Sequence, residues 1–232
     1  MSIPAARSLR NIWRQGCFEV ARRLRRPVDG RFQPYAHTLP DRYAWLFDFA
    51  AAALDGVPFP RLLSFGCSRG DEVFSLRRRF PQAVIKGLDI DPGNIAACTA
   101  RARAAQDDRL SFAVAANARH EPASCYDAIF CLAVLCHGDL TVTRARRSEP
   151  LLRFSDFERT VVELARCLKP GGLIFLHTTN FRFCDTVLAA EFDVVLEAQP
   201  EQMAPDVLFD REGRLMLGER YFPVGFRKSA AG

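Results

Sequence analysis

Between Leu62 and Leu76 the chain sets a glycine turn between an apolar run and a helical pattern, with two carboxylates directly behind it. Leu62 to Phe65 is long enough for a buried strand and too short for a helix. Gly66-Cys67-Ser68-Arg69-Gly70 is a tight turn. Asp71 and Glu72 follow, then Val73, Phe74, Leu76 and Phe80 at helical spacing, closed by Pro81. A glycine loop between strand and helix places free backbone N–H groups beside a crevice at the strand's carboxyl end. Carboxylates at the start of that helix repel a phosphate and suit a ligand with hydroxyls and a cationic amino group. The lysine and Ser/Thr of a phosphate-binding loop are also missing.

Further polar residues stand at the ends of the next three apolar runs. Ala83–Ile90 reads as a second strand ending in Asp89-Ile90-Asp91-Pro92. Asp89, about 20 residues beyond the glycine loop, can accept hydrogen bonds from ribose hydroxyls. Asp91 is placed to cap a helix over 92–105. Leu110–Ala115 is a third strand with Asn117 after it, and Tyr126–Leu135 is a fourth strand and its exit, followed by His137 and Asp139. His137 is the best-placed base or substrate-orienting group; the plainer reading is a structural histidine with its hydrogen bonds satisfied. Tyr35, His37 and His177 are further ionisable candidates near the same crevice. Together these groups favour S-adenosylmethionine over ATP as the ligand.

The elements that must position them alternate strand and helix over residues 60–180, which implies a parallel α/β sheet. Asp41 is expected to cap a helix from Arg42 to Leu54. Phe157–Leu168 is amphipathic, the turn Lys169-Pro170-Gly171-Gly172 follows, and Leu173–Thr178 is the fifth strand. Phe192–Ala198 and Tyr221–Phe226 are β-rich and fit a closing antiparallel hairpin. Residues 5–26 read as an amphipathic helix and 27–40 as an extended linker. The expected division is a basic N-terminal helix and linker, 1–40, and a catalytic domain, 41–232.

The net charge of +5 sits mainly in residues 1–31, where eight arginines face Glu19 and Asp29. That face is expected to be solvated, because charge runs usually are, so nucleic acid is disfavoured as a partner. No run approaches a membrane span and nothing resembles a cleavable signal peptide. Eight cysteines without a C-x-x-C pair read as reduced, buried thiols, which places the protein in the cytoplasm and leaves no metal site expected. The oligomeric state is open.

Ser64-Phe-Gly-Cys-Ser-Arg-Gly-Asp-Glu-Val-Phe-Ser-Leu76 resembles the first motif of class I S-adenosylmethionine-dependent methyltransferases. It is most similar to the chemotaxis-receptor glutamate O-methyltransferases, where Ser-x-Gly-Cys-Ser-x-Gly-Glu-Glu is followed by an aromatic, Ser and Leu. Tyr126–Leu135 is similar to that family's Phe-Asp-x-Ile-Phe-Cys-x-x-Val-Leu, and Leu168–Gly172 to a turn frequent in class I enzymes. The resemblance implies a Rossmann-like α/β fold with a mostly parallel seven-stranded sheet, an antiparallel C-terminal hairpin and helices on both faces. It implies S-adenosyl-L-methionine as cofactor, bound by Ser64, Gly66, Cys67, Ser68, Gly70, Glu72, Asp89, Ile90, Asn117, Ala118 and Cys131. Asn117 matches the position that meets the adenine amino group.

Departures from the family are informative. Ser64 stands where most of the superfamily has an acid, and Ser68 where it has glycine. Leu132-Ala133 replaces the receptor enzymes' Arg-Asn, and Thr179-Asn180 their Ser-Glu. Receptor glutamate is therefore not the implied substrate. Amino-DNA methyltransferase and C5-cytosine motifs are missing after the fourth strand. The reading is methyl transfer to an O or N nucleophile of a small molecule or protein, with His137 and Asp139 as catalytic candidates. The alternative is a non-catalytic binding protein that keeps the fold and acts through its arginine-rich N-terminus. A nicotinamide dehydrogenase is disfavoured by Gly66-x-x-x-Gly70 in place of G-x-G-x-x-G.

Overall fold

The computed structural model describes residues 30–203 and 207–230. The strands are β1 (Arg61–Phe65), β2 (Val84–Asp89), β3 (Leu110–Val114), β4 (Tyr126–Leu132), β5 (Leu168–His177), β6 (Phe192–Glu197) and β7 (Pro223–Lys228). They form one seven-stranded sheet in the order β3-β2-β1-β4-β5-β7-β6. Pairs from β3 to β5 are parallel, and β7 runs antiparallel to both β5 and β6. This is the expected mostly parallel, Rossmann-like sheet with an antiparallel C-terminal hairpin. The expected helix over 5–26 lies outside the described residues.

All seven residues of β4 are buried, because β4 is flanked by β1 and β5 and covered on both faces, which a continuous apolar run requires. Neighbouring residues then alternate between the two layers. Leu63, Ile129 and Ile174 pack with Phe157, Val161 and Leu164 of the amphipathic helix α5 (Phe154–Cys167) on one face. Leu62, Phe130 and Phe175 pack on the other face under α1 (Ala44–Ala53), α2 (Asp71–Arg79) and α3 (Pro92–Ala104). Phe130 and Phe175 stack with centroids 5.0 Å apart across the β4–β5 pair. A one-turn helix, α4 (Gly138–Thr143), follows β4.

Three local expectations need correction. Asp41 does not cap α1. The helix starts at Ala44 with no side-chain cap, and the Asp41 carboxylate instead accepts from Arg78 and Arg79 of α2, both at 2.6 Å. Two arginines outcompete a single amide for one carboxylate. The Lys169–Gly172 turn lies inside β5: pairing passes from Tyr126↔Leu168 to Ala128↔Leu173, so the turn is a bulge on a continuing strand. Gly171 takes it through φ +74°, and Lys169 Nζ pins it to Asp127 at 2.7 Å.

The third correction matters most for the site. From Gly30 onward the expected linker is a strap lying against the domain. Phe32 is buried in the α5-side core and Gln33 Nε2 donates to Cys136 Sγ at 3.3 Å. The Tyr35 hydroxyl donates to Asp139 Oδ1 at 2.8 Å. Gly30 is held at φ +80° so close to Ala116 that an added Cβ would stand 3.0 Å from the Ala116 Cβ. One aromatic side chain with a core to enter is enough to dock a proline-containing extended segment. Phe32→Ala is expected to cost about 3 kcal/mol in denaturant unfolding, the lower end for a buried phenylalanine. An unchanged midpoint would mean that the strap contributes nothing to the fold.

Candidate active site

The sheet order reverses at β1, whose neighbours are β2 and β4, and open α/β sheets bind ligands outside the carboxyl ends of the strands at such a point. A cleft lies there, with about 1040 Å³ of free space when its open mouth is included. Its floor is Phe65–Ser68 with Glu72, and Leu132–Val134 after β4. One side is Asp89–Asp91 with Asn94, and Ala115 and Ala116 close it after β3. The strap, Gly30–Leu39, and then Arg42, Tyr43 and Phe47 form the opposite wall.

Gly66 is indispensable to this shape. It sits at φ +75°, and a Cβ there would lie 2.4 Å from Val134 Cγ2. The loop does not offer the free N–H groups expected of it. Gly66 and Cys67 both donate to Leu88 O, at 2.8 and 2.9 Å, Gly70 donates to Cys67 O at 2.9 Å, and Ser68 donates to Asp89 Oδ2 at 2.8 Å. The end of β2 consumes these donors, so the loop is no anion nest, which agrees with a ligand lacking a phosphate at this point.

Asp89 is the hub. Besides Ser68, its Oδ1 accepts from Asp91 N at 2.9 Å and Asn94 Nδ2 at 3.1 Å. A carboxylate has about four acceptor sites, so about one remains for a ligand hydroxyl; a second hydroxyl must displace the Asn94 amide. Asp91 is the α3 cap, accepting from Gly93 N at 2.8 Å, and also lines the cleft.

Glu72 is the other chemically distinctive group. Its Oε1 accepts from Ser64 Oγ at 2.6 Å, so the serine at the end of β1 positions a carboxylate delivered from α2. Burial pushes the Glu72 carboxyl up to about 7, and the Ser64 hydrogen bond opposes the rise only in part. A carboxylate beneath the loop with no cation beside it among the described residues is a place prepared for one. The cleft also holds the Ser68 hydroxyl, which has no hydrogen-bond partner among the described residues. Buried polar groups are normally paired, so it calls for a polar atom of a ligand.

The sequence-derived site residues divide into layers. Gly66, Cys67, Ser68, Glu72, Asp89 and Ile90 line the cleft. Ser64 and Cys131 lie buried beneath it, and Gly70 is the left-handed residue that starts α2. Ala118 is in the core, its carbonyl taken by Arg166. Asn117 faces an adjoining groove, its Oδ1 accepting from Arg119 N at 3.2 Å. His137 and Asp139 do not line the cleft. His137 Nδ1 accepts from Asp139 N at 3.3 Å as the cap of α4, while Asp139 anchors Tyr35. Tyr35 and His37 do line it. His177 is buried between Tyr43 and Trp45. Its Nε2 meets Gln202 O at 3.0 Å, and since a carbonyl only accepts, Nε2 carries the proton and Nδ1 accepts from Thr178 Oγ1 at 2.7 Å. Burial lowers its pKa to about 4, so it stays neutral and structural.

Comparison with known families fits this geometry. Residues 63–176 match the family described as "Methyltransferase domain". The match covers 114 of the 232 residues, just under half of the chain. It runs from β1 to the end of β5 and contains the glycine loop, Asp89 and β4. The match is to the domain in general and lends no support to the closer likeness to chemotaxis-receptor enzymes. No curated protein matches the chain. Similar solved structures include a putative sarcosine dimethylglycine methyltransferase from Galdieria sulphuraria, with 21% identity, a TM-score of 0.43, and coverage of 57% of this chain and 44% of that one. A putative S-adenosyl-L-methionine-dependent methyltransferase from Methanococcus maripaludis has 15% identity, a TM-score of 0.42, and coverage of 59% and 57%. Geranyl diphosphate C-methyltransferase from Streptomyces coelicolor has 20%, 0.39, and 57% and 46%. The chain spans about half the length of these structures.

Glu72 ties the site to stability through pH. Its folded pKa lies above its unfolded value, so the folded state holds the extra proton and stability falls as pH rises from about 4.5 to about 7. Glu72→Gln removes that loss. The variant without ligand is expected to be more stable than the native protein at pH 8 by about 3 kcal/mol, with the difference vanishing near pH 4. Denaturant titrations across that range check it, and a constant difference would place the Glu72 carboxyl in water.

Proposed function

We propose that the protein is an S-adenosyl-L-methionine-dependent methyltransferase acting on an O or N nucleophile of a small molecule or protein. The observation that carries the reading is the pairing of two carboxylates around one glycine loop: Asp89 at the end of β2, with acceptor capacity for a hydroxyl, and Glu72 under the loop, with no cation beside it among the described residues. A ligand with a ribose at one end and an ammonium at the other meets both demands. The methyltransferase-domain match over 63–176 agrees with it. The cytoplasmic placement and the absence of a nucleic-acid partner remain part of this reading.

Bound there, S-adenosylmethionine supplies a methyl group already activated by a sulfonium. The chain's own task is placement and exclusion of water. Asp89 orients the ribose end and Glu72 the amino end. Ile90, Ala115 and Ala116 offer apolar surface for the adenine. The Tyr35–Asp139 bond clamps the strap over the cleft. A carboxylate acceptor needs no base, whereas a hydroxyl or ammonium does; among the cleft-lining side chains His37 is the histidine available.

Calorimetry with S-adenosylmethionine and S-adenosylhomocysteine, then transfer of a labelled methyl group into metabolite and protein mixtures, tests the reading. Absence of cofactor binding would refute it. Asp89→Ala removes a charged hydrogen-bond acceptor, and affinity for S-adenosylhomocysteine is expected to fall about tenfold or more. Native affinity in a folded Asp89→Ala protein would move the ribose elsewhere. Affinity of the native protein should also rise between pH 6 and 8, because below about 7 Glu72 must first lose its proton to meet the ammonium. A flat profile would detach Glu72 from the cofactor.

A further inference from the structure

Two segments outside the cleft meet on the surface beyond α4. Residues 142–151 run on from the end of that helix, and residues 209–217 precede β7. An antiparallel bridge, Arg147↔Arg214, joins them. Ser148 N donates to Gly213 O at 2.9 Å and Leu215 N to Arg146 O at 3.0 Å. Arg147 and Arg214 are thus the non-hydrogen-bonded pair between those two bonds. Side chains at such a pair leave on the same side and stand closest across the ladder. Like charges directly opposite each other repel.

No carboxylate compensates this pair among the described residues. Arg147 Nη2 reaches a carbonyl, Glu212 O at 3.1 Å, and the Arg214 guanidinium makes no hydrogen bond or ion pair there. Asp210 spends Oδ1 on the amides of Glu212 and Arg214, and Glu149 faces Arg153 at 3.7 Å. The exposed Arg144 and Arg146 side chains are equally unpaired among the described residues. Elsewhere arginines find acids: Arg78 and Arg79 share Asp41, Arg101 takes Asp71 and Arg182 takes Asp185.

The same segments carry the two most exposed large apolar side chains among the described residues, Leu217 at 85% and Val142 at 83%. Arginine beside apolar surface is the composition of a protein-binding face. The interleaved acids Glu149, Asp210 and Glu212 disfavour a partner dense in phosphates, whether nucleic acid or anionic membrane. They leave room for discrete carboxylates, which fit a guanidinium fork.

We infer that residues 142–151 and 209–217 form a docking surface for a protein segment that presents carboxylates beside apolar side chains. None of these residues lines the cleft, so the inference does not depend on the methyltransferase reading. A docked segment abuts α4, whose Asp139 holds the strap through Tyr35.

The test follows, by fluorescence anisotropy at about 150 mM salt, a labelled peptide of glutamate pairs separated by single leucines. It is titrated with the native protein, the double variant Arg147→Gln/Arg214→Gln, and Leu217→Ser. The native protein is expected to bind about tenfold or more tightly than the double variant, because charge-assisted hydrogen bonds are lost. It is expected to bind about threefold more tightly than Leu217→Ser, because apolar burial is lost. Equal binding to the native protein and the double variant overturns the surface, as does no binding at all. A single-stranded oligonucleotide or phosphatidylserine vesicles that bind more tightly than the peptide, and are released by the double variant, overturn the choice of partner. Self-association of the native protein in sedimentation, abolished in the double variant, assigns the face to a second copy and overturns that choice too. All three substituted residues are exposed, so the variants are expected to fold, and unfolding midpoints check it. Should the double variant be destabilised, Arg214→Gln alone carries the comparison, with an expected loss of about threefold or more.

Discussion

The site depends on the three hydrogen bonds that the Asp89 carboxylate accepts. Its two oxygens hold Ser68 of the glycine loop, Asp91 at the start of α3, and the Asn94 side chain. A nearly buried charge is tolerable only when its lone pairs are filled, and here filling them joins the ends of β1 and β2 to the first turn of α3. The same bonds spend a loop amide, so the turn that looks like an anion cradle is closed to anions. Leu88 O takes two more. What is left is a shaped floor with one acceptor to spare.

Ser64 and Glu72 together hold one carboxylate beneath the glycine loop. The β1 end carries a hydroxyl, and the acid arrives from α2, joined by a bond of 2.6 Å. The carboxyl is enclosed there, and its raised pKa follows from that burial. Its charged form is costly until a cation arrives. The group is thus both a recognition element and a reservoir of destabilisation that ligand binding would relieve.

The strap closes the other side. Phe32 enters the core, Tyr35 reaches Asp139 and Gly30 abuts Ala116, so contacts spread over β3, β4 and the helix after β4 hold one extended segment. This explains why His137 and Asp139 are not cleft groups. They shape α4 and anchor its lid, with His137 as cap and Asp139 as acceptor.

The alternation of strand and helix, the glycine turn and the acid after the second strand were legible in the sequence because each rests on local signals, whereas the seven-stranded sheet was implied only by the resemblance. Apolar runs of strand length, Gly66 and Gly70 at a turn, and an acid closing the second strand need only neighbours in the chain to be read. Asp91 as a cap and the burial of β4 belong to the same class. The tertiary structure alone decided which donors remain. Loop amides that look free in sequence are consumed by Leu88 and Asp89, 22 and 21 positions away. Asp41 abandons its helix for two arginines on α2. Asn117 and Ala118 turn from the cleft while Ala115 and Ala116 line it, because a strand exit can be read only to within a residue or two and each step changes the side facing the ligand. Arg42 and Tyr43 carry no motif at all. Their place on the cleft wall depends on where α1 packs over β4 and β5, and no spacing within the chain encodes that distance.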